Sequence, residues 1–262
     1  MEKTRHIIII GHPKRETLQL KIDNKEYKIS FDGFKCESKN EDPFIWNDNF
    51  FYTFCHSNVS LCKDVRTLIE KQNEEVYFVF VAKAKVDKKD ITEIDTINEK
   101  DITEIDTIIK AKKLFEWPEK GKRNKDSLPE IFNERIIDYH LPKIDNGNLT
   151  EHNRKKLFTC IGDEEKSFLP MKKYKKGPFV PYRLREGISE KIWELITANG
   201  TNRYYVAKET SPRIKDGMKT TFEDVTNEIS DIIDKYNEPI KDEKLSKLTG
   251  KQIKKFSEKH RK

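Results

Sequence analysis

Residues 76–86 read VYFVFVAKAKV, which is the strongest strand signal in the chain. β-Branched and aromatic residues dominate this run, neither Gly nor Pro interrupts it, and polar clusters bound it on both sides, as is typical of a buried strand. Four shorter runs of the same kind precede it, HIIII (6–10), TLQLKI (17–22), EYKISF (26–31) and NFFYTF (49–54). We therefore predict that the first 90 residues are mostly strand.

Two local patterns refine this strand-rich region. KIDNKEYKI (21–29) has the alternation of a hairpin, with Asp23-Asn24 at the turn. SLCKDVRTLIEKQ (60–72) predicts a helix inserted before the strongest strand, because its apolar residues fall on one helical face, namely Leu61, Val65, Leu68 and Ile69.

The last third of the chain has a helical pattern. GISEKIWELITANG (187–200) and TTFEDVTNEISDIIDKYN (220–237) repeat apolar residues at helical spacing, with NRYYVAKE (202–209) between them as a strand. A further strand is predicted at KKLFTCIG (155–162). The pattern predicts an α+β fold: a strand-rich N-terminal half, either a small twisted sheet or a partly open barrel, with helices added in the C-terminal half.

Three parts are predicted along the chain. Residues 1–115 form a strand-rich module with an inserted helix and a duplicated 11-residue surface segment, residues 116–240 form an α+β part containing a basic and aromatic loop, and residues 241–262 form a basic tail. The duplication is DITEIDTI, at 90–97 and identically at 101–108. Removing residues 90–100 leaves a continuous sequence, so we predict a passive insertion.

Charge is unevenly distributed. The chain has 262 residues, 37% of them charged, and a net charge of +6. Residues 241–262 hold nine Lys or Arg against three acids, and the first 28 residues hold seven more basic residues, so the body between them is acidic overall. Two basic segments on an acidic body indicate a polyanionic partner.

The sequence contains few features that identify a cellular compartment or a cofactor. No apolar run approaches the ~20 residues of a membrane span, and the four cysteines are spaced unlike a disulfide framework, so we predict a cytoplasmic protein with reduced thiols. Cys36, Cys55, His56 and Cys62 lack the paired spacing of zinc knuckles. No nucleotide-cradling glycine motif occurs. No cofactor is predicted, except a divalent metal if the protein is a nuclease.

The stretch KSFLPMKKYKKGPFVPYRLR (166–185) is the candidate binding site. It has seven Lys or Arg, four aromatic residues and no acid, and its prolines predict an extended segment that follows the surface. Lys and Arg bind phosphates, and exposed aromatic rings stack on bases. The alternative is that the aromatic residues anchor a solvated loop to the core. The predicted nucleic-acid contacts are Lys172, Lys173, Tyr174, Lys175, Lys176, Phe179, Tyr182, Arg183 and Arg185.

Three functions follow as hypotheses, because no motif identifies a reaction. The first is a nucleic-acid-binding protein, an accessory or base-reading component of a DNA or RNA modification, restriction or defence system. Under this first hypothesis Trp46 and Trp117 either line a base-sized pocket or are structural aromatic residues of the core. The second is a metal-dependent nuclease or nucleotide-modifying enzyme, using carboxylates such as Asp32 and Asp48. The third is a protein-interaction module with an acidic body and a basic tail.

Overall fold

The computed structural model describes residues 4–12, 18–29, 44–46, 48–53, 64–71, 74–84, 102–118, 128–129, 132, 158–198, 205–207, 209, 214 and 217–259. Within these ranges the chain forms a mixed sheet of twelve strands with helices mostly in the C-terminal half, which confirms the predicted α+β class. The strands are β1 Arg5–Gly11, β2 Leu18–Ile22, β3 Lys25–Ile29, β4 Phe44–Trp46, β5 Asn49–Thr53, β6 Glu75–Ala84, β7 Ile102–Glu116, β8 Phe158–Gly162, β9 Leu169–Lys173, β10 Phe179–Arg183, β11 Tyr205–Ala207 and β12 Leu245–Leu248. The helices are α1 Glu186–Ala198, α2 Lys219–Asn237 and α3 Gly250–Lys259, and residues 64–71 form a shorter helical segment that ends in the π-turn Thr67–Lys71.

The long strand β7 is the branch point of the sheet. One arm runs from β7 through β10 and β3 to β2, and the other runs through β8 and β5 to β4. Within the described residues the two arms do not pair with each other, so the sheet is not closed, but side chains of both arms share one core, as in a partly open barrel. Helix α3 contacts both terminal strands, β2 and β4, and so lies across the opening.

Side chains along each strand point alternately to the two faces of the sheet, and the apolar ones form two separate hydrophobic cores, one on each face. On β1, Ile8 and Ile10 point into the core enclosed by the two arms, whereas Ile7 and Ile9 point to the other face. That outer face is covered by α1 and α2, whose buried residues complete the second core. Helix α2 contributes a full apolar stripe, as its spacing predicts, namely Phe222, Val225, Ile229, Ile232, Ile233 and Tyr236.

The predicted hairpin at residues 21–29 is confirmed. Strands β2 and β3 pair antiparallel with Leu20 opposite Tyr27. Asp23 and Asn24 have φ values of 48° and 62°. Two consecutive positive φ values define the type I′ turn, which matches the right-handed twist of paired strands and favours Asn and Asp.

The second copy of the repeat differs from the prediction of a surface segment. Residues 102–108 begin β7, and Ile105 and Ile108 are fully buried. The residues that follow each copy explain why the second copy forms β7. Ile109 is buried, and Lys110 Nζ lies 2.5 Å from Glu75 Oε1, whereas the first copy is followed by Asn98 and Glu99. If the first copy formed β7 in the same register, Asn98 would replace Ile109 and bury an amide. Glu99 would replace Lys110 and place a second carboxylate beside Glu75. The first copy lies outside the described residues.

The C-terminal segment is also more integrated than the predicted basic tail. Strand β12 pairs with β9, and Leu245, Leu248 and Ile253 are buried. Helix α3 begins with a capping arrangement in which Thr249 N donates to Gln252 Oε1 at 2.9 Å. A Cβ atom on Gly250 would lie 1.8 Å from the carbonyl oxygen of Asp48, so the start of α3 sits directly on the β4–β5 turn. Strands from all three predicted parts share the sheet.

Across the described ranges, no helix combines the length and the apolar character needed to cross a lipid bilayer.

Candidate nucleic-acid interface

The basic stretch 166–185 forms a β-hairpin rather than the extended segment predicted from its prolines. Strands β9 and β10 pair antiparallel with Lys173 opposite Phe179, and the turn between them contains Lys175 at φ 55°. Proline is tolerated here because Pro178 precedes β10 and Pro181 needs no donor at its position in this pairing. The hairpin projects its turn away from the core.

Two of the predicted aromatic contacts point into the protein. Phe179 is buried and stacks on Tyr27 with the ring centroids 5.2 Å apart. Tyr182 is half-buried and meets Tyr236 of α2 edge-on. These rings anchor the hairpin to the two cores, which is the alternative considered for the stretch.

Tyr174 is enclosed by cations of its own hairpin. The guanidinium carbon of Arg183 lies 4.8 Å from the ring centroid of Tyr174, and Lys172 Nζ lies 5.2 Å from it. The Tyr174 hydroxyl accepts a hydrogen bond from the backbone N–H of Arg183 at 3.2 Å. Burial raises the pKa of Tyr174 to about 12. Cation–π contacts of this kind favour a fixed ring over one that is free to stack on a base.

Acids from distant parts of the chain neutralise both arginines. Arg183 Nε lies 3.2 Å from Glu104 Oε1, with the two side chains only 13% and 10% exposed. Arg185 Nη2 lies 2.9 Å from Glu228 Oε2 on α2. The stretch therefore lacks acids of its own partly because the fold supplies them from β7 and α2.

The remaining lysines of the hairpin belong to a larger group. Strands β3 and β10 are parallel with Tyr27 opposite Phe179, so the β2–β3 turn and the β9–β10 turn lie side by side. The residue before β12 joins them, because Lys173 N donates to the carbonyl of Lys244 at 2.7 Å. We call this group the basic turn cluster, and it consists of Lys21, Lys25, Lys173, Lys175, Lys176, Lys244 and Lys255.

Printed contacts connect these lysines across strands. Lys25 Nζ and Lys173 Nζ lie 5.5 and 5.8 Å from the Phe179 ring centroid, on neighbouring hairpins. Lys255 on α3 reaches the β2–β3 turn, with its Nζ 3.9 Å from Asp23 Oδ1. Five adjacent strands at ~4.8 Å spacing give the cluster a width of about 19 Å.

Nearby acids reduce the charge of the cluster without cancelling it. The ranges 21–26, 172–176 and 241–244 together carry eight lysines against four acids. Asp242 is engaged within its own turn, where its Oδ1 accepts the backbone N–H of Lys244 at 2.9 Å. Most of the lysine ammonium groups remain exposed to solvent.

Of the residues predicted for a base-sized pocket, the structure describes the side chains of Trp117 and Asp48. Trp117 is buried, donates to Thr159 Oγ1 at 2.8 Å and stacks on Phe132. Asp48 sits at the β4–β5 turn, where its Oδ2 lies 3.7 Å from Lys254 Nζ of α3. Asp32 and the side chain of Trp46 lie outside the described residues. Over the same ranges, no three His, Cys, Asp or Glu side chains are grouped to hold a metal ion.

A buried polar group on β7 was missed by the sequence predictions. His12 Nε2 lies 3.1 Å from Asp106 Oδ2, with the side chains 9% and 2% exposed. Phe80 pairs with Thr107 and Val81 with Ile105, so Asp106 is the extra residue of a β-bulge. The bulge turns Asp106 and Thr107 to the same face, and Thr107 Oγ1 is buried with no hydrogen-bond partner among the described residues. Its sequence signal was a carboxylate inside an apolar strand, which the repeat obscured.

Comparison of the chain with protein-family models, with curated proteins and with solved structures finds no match.

Proposed function

We propose that the protein binds nucleic acid through the basic turn cluster. The supporting observation is that the three basic segments of the sequence converge on one end of the sheet, although they are far apart along the chain. Lys25, Lys173 and Lys244 come from the N-terminal, central and C-terminal segments and lie on or beside adjacent strands. Such convergence concentrates positive potential where a phosphate backbone can approach.

The contacts favour recognition of the phosphate backbone over base stacking. Phe179 is buried, Tyr182 packs on α2, and the Tyr174 ring is flanked by Lys172 and Arg183. Stacking on bases needs an exposed ring. We therefore infer that the protein binds duplex at least as well as single strands, with little sequence preference. Such a partner fits the cytoplasmic location that the composition predicts and an accessory role in a modification, restriction or defence system.

The decisive experiment neutralises the cluster and measures binding against salt. We expect the Lys173→Gln, Lys175→Gln, Lys176→Gln and Lys244→Gln quadruple variant to bind a labelled duplex at least about tenfold more weakly at moderate salt, with a flatter plot of log K against log salt. Fluorescence anisotropy on matched duplex and single-stranded oligonucleotides measures both effects.

A matched control removes the same charge elsewhere. The Lys112→Gln, Lys113→Gln, Lys191→Gln and Lys219→Gln variant has the same formal charge change on other elements, so its salt slope should stay near that of the wild type. Equal losses in the two variants would mean that only net charge matters. An unchanged affinity in the cluster variant would contradict the proposal and favour the protein-interaction alternative, whose binding would show in pull-downs that are insensitive to nuclease.

A nuclease or nucleotide-modifying enzyme is the second candidate, and the His12–Asp106 pair favours it. A carboxylate that orients a histidine is a recurrent acid–base arrangement, bulges are frequent beside active sites, and Glu104 lies two residues away on β7. The test incubates labelled DNA and RNA with and without divalent cations, comparing wild type with His12→Gln and Asp106→Asn. Turnover that both substitutions abolish, while duplex binding persists, would support this candidate.

A further inference from the structure

A cavity of about 470 Å³ opens at the edge of the sheet, away from the basic turn cluster. It lies where β11 stops pairing with β1, because β11 covers only Ile9, Ile10 and Gly11. Its walls are the first half of β1, the helical segment 64–71 and the first two turns of α2. The volume falls in the range of small-molecule sites.

The body of the cavity is apolar. Phe222 of α2 and Ile7 form one wall, and Val65 and Leu68 form the other, with Ile8 between the layers. Ile7, Val65 and Phe222 are buried members of the two cores, so these walls are fixed by packing. The cavity therefore suits a flat or narrow apolar group held between the two layers of the fold.

Backbone polar groups of β1 face the cavity. Thr4 and His12 direct their backbone groups toward β6, since Glu75 N donates to Thr4 O and His12 N donates to Val81 O. Within a strand these directions alternate, so the odd-numbered residues Arg5 and Ile7 direct their N–H and C=O groups to the outer edge. A ligand with N–H donors can meet these carbonyl oxygens.

The charged residues that line the cavity determine whether it favours a cationic or an anionic ligand. The lining carries the carboxylates of Asp64, Glu209 and Glu223. Each basic residue of the lining lies beside a carboxylate: Arg5 forms a bidentate pair with Asp234 at 2.7 and 3.1 Å, and Lys219 Nζ lies 3.7 Å from Glu223 Oε1. His6 likewise contacts Glu74. Counted together with these partners, the described lining has two fixed cations, Arg5 and Lys219, and five carboxylates, so its formal charge is negative.

We propose that this cavity binds a compact organic cation. The apolar body of the ligand enters between Phe222 and Leu68, and its positively charged N–H donors meet the carbonyl edge of β1 and the carboxylates at the mouth. Anionic ligands, including nucleotides, are disfavoured by the same carboxylates. This site is separate from the basic turn cluster and does not depend on nucleic-acid binding.

The test uses three probes of similar shape and different charge: phenethylammonium, phenethyl alcohol and 3-phenylpropionate. Isothermal titration calorimetry on the full chain should give the tightest binding for the ammonium, binding at least about threefold weaker for the alcohol, and none for the carboxylate. Chemical-shift changes should map to Arg5–Ile8. Equal affinity for the ammonium and the carboxylate, or binding of none of the three probes, would overturn the proposal.

Substitutions then test separately the contributions of the carboxylates and of the cavity volume to binding. Glu209→Gln and Glu223→Gln should each weaken ammonium binding about two- to fivefold and leave alcohol binding unchanged. Asp231→Asn, an exposed acid of α2 outside the cavity lining, is the matched control and should have no effect. Thr226→Phe should fill the cavity and abolish binding of both probes, with Thr226→Leu as the smaller replacement if the first does not fold. Full ammonium affinity in a folded filled variant would place the site elsewhere and contradict the inference.

Discussion

Helices α2 and α3 are both amphipathic and both bury isoleucines, but their charges are opposite. Helix α2 has five acids and two lysines, whereas α3 has four lysines and one acid. The acids of α2 accept cations from other elements, with Asp234 paired to Arg5, Asp224 to Lys191 and Glu228 to Arg185. The lysines of α3 meet only longer contacts among the described residues, to Asp48 and Asp23 at 3.7 and 3.9 Å.

This difference shows how a chain with nearly equal numbers of basic and acidic residues can separate positive from negative charge on its surface. Helix α2 covers the outer core and neutralises cations that reach it, whereas α3 crosses the opening of the barrel and adds its charge to the basic turn cluster. Where a helix packs therefore decides whether its charge is compensated or presented to a partner.

The largest effect is expected from removing β12 and α3. A chain that ends at Glu243 loses Leu245, Leu248 and Ile253 from the cores and exposes the edge of β9. Truncating a buried Leu or Ile costs about 2–5 kcal/mol, so the loss of all three is comparable to the whole stability of a typical domain. Circular dichroism should show no cooperative thermal transition. A chain that ends at Lys259 is the control and should melt like the wild type; a normal melt of the shorter chain would mean that α3 is only appended.

The next largest effect tests the contact between α3 and the second arm of the barrel. Gly250→Ala should destabilise the protein by about 2–4 kcal/mol, because its Cβ would overlap the Asp48 carbonyl and force α3 away from β4. Gly187→Ala in the first turn of α1 is the matched control. Nothing lies within 4 Å of its Cβ, so it should be neutral or stabilising by about 0.5–1 kcal/mol. Urea denaturation of both variants measures the difference, and equal stabilities would argue against a tight α3–β4 contact.

A smaller effect on duplex binding is expected from replacing one lysine on α3, with one lysine on α2 as the comparison. Lys255 of α3 and Lys219 of α2 are similarly exposed, at 79% and 74%. Lys255→Gln should weaken duplex binding by about two- to threefold, since one phosphate contact is lost, and Lys219→Gln should leave it unchanged. Anisotropy titrations at two salt concentrations measure this. A larger loss for Lys219 would move the binding surface to α2.

Alkaline pH should weaken the fold modestly through its buried tyrosines. Burial raises the pKa of Tyr77 beneath α2 to about 12, and that of Tyr174 on the hairpin to about 12. The folded state holds both in the protonated form, so their contribution is complete below the unfolded value of about 10 and is lost as the pH rises to about 12. Tyr174→Phe should reduce the slope of stability against pH in that window. The same slope in the variant would mean that Tyr174 ionises as freely in the folded protein as in the unfolded chain.

The smallest effect is expected from deleting residues 90–100. The remaining copy of DITEIDTI is then joined to β6 by residues 85–89 and keeps Ile109 and Lys110 in register, so the free energy of unfolding should change by no more than about 0.5 kcal/mol. Thermal melts of the deletion test this. Loss of a cooperative transition would show that the first copy contributes to the fold.

Several elements could be predicted from sequence because their signals are local. Continuous runs of β-branched and aromatic residues identify β1 and β6, the Asp23-Asn24 pair marks the turn of a hairpin, and helical spacing identifies α2. The repeat was misread because identity between two copies says nothing about which one is buried. That choice depends on Ile109 and on the Lys110–Glu75 pair, which only the pairing of β6 with β7 reveals.

The sequence by itself determined the class of fold, most of its strands and the positions of its basic segments, since residue type and spacing act within a few residues. Only the tertiary structure decided which cations are compensated and which face solvent. Arg183 meets Glu104 from 79 residues away, and Arg185 meets Glu228, while Lys25, Lys173 and Lys244 come together at one end of the sheet. Charge–charge energies depend on distance in space and on burial, and strand pairing sets both between residues that are remote in sequence.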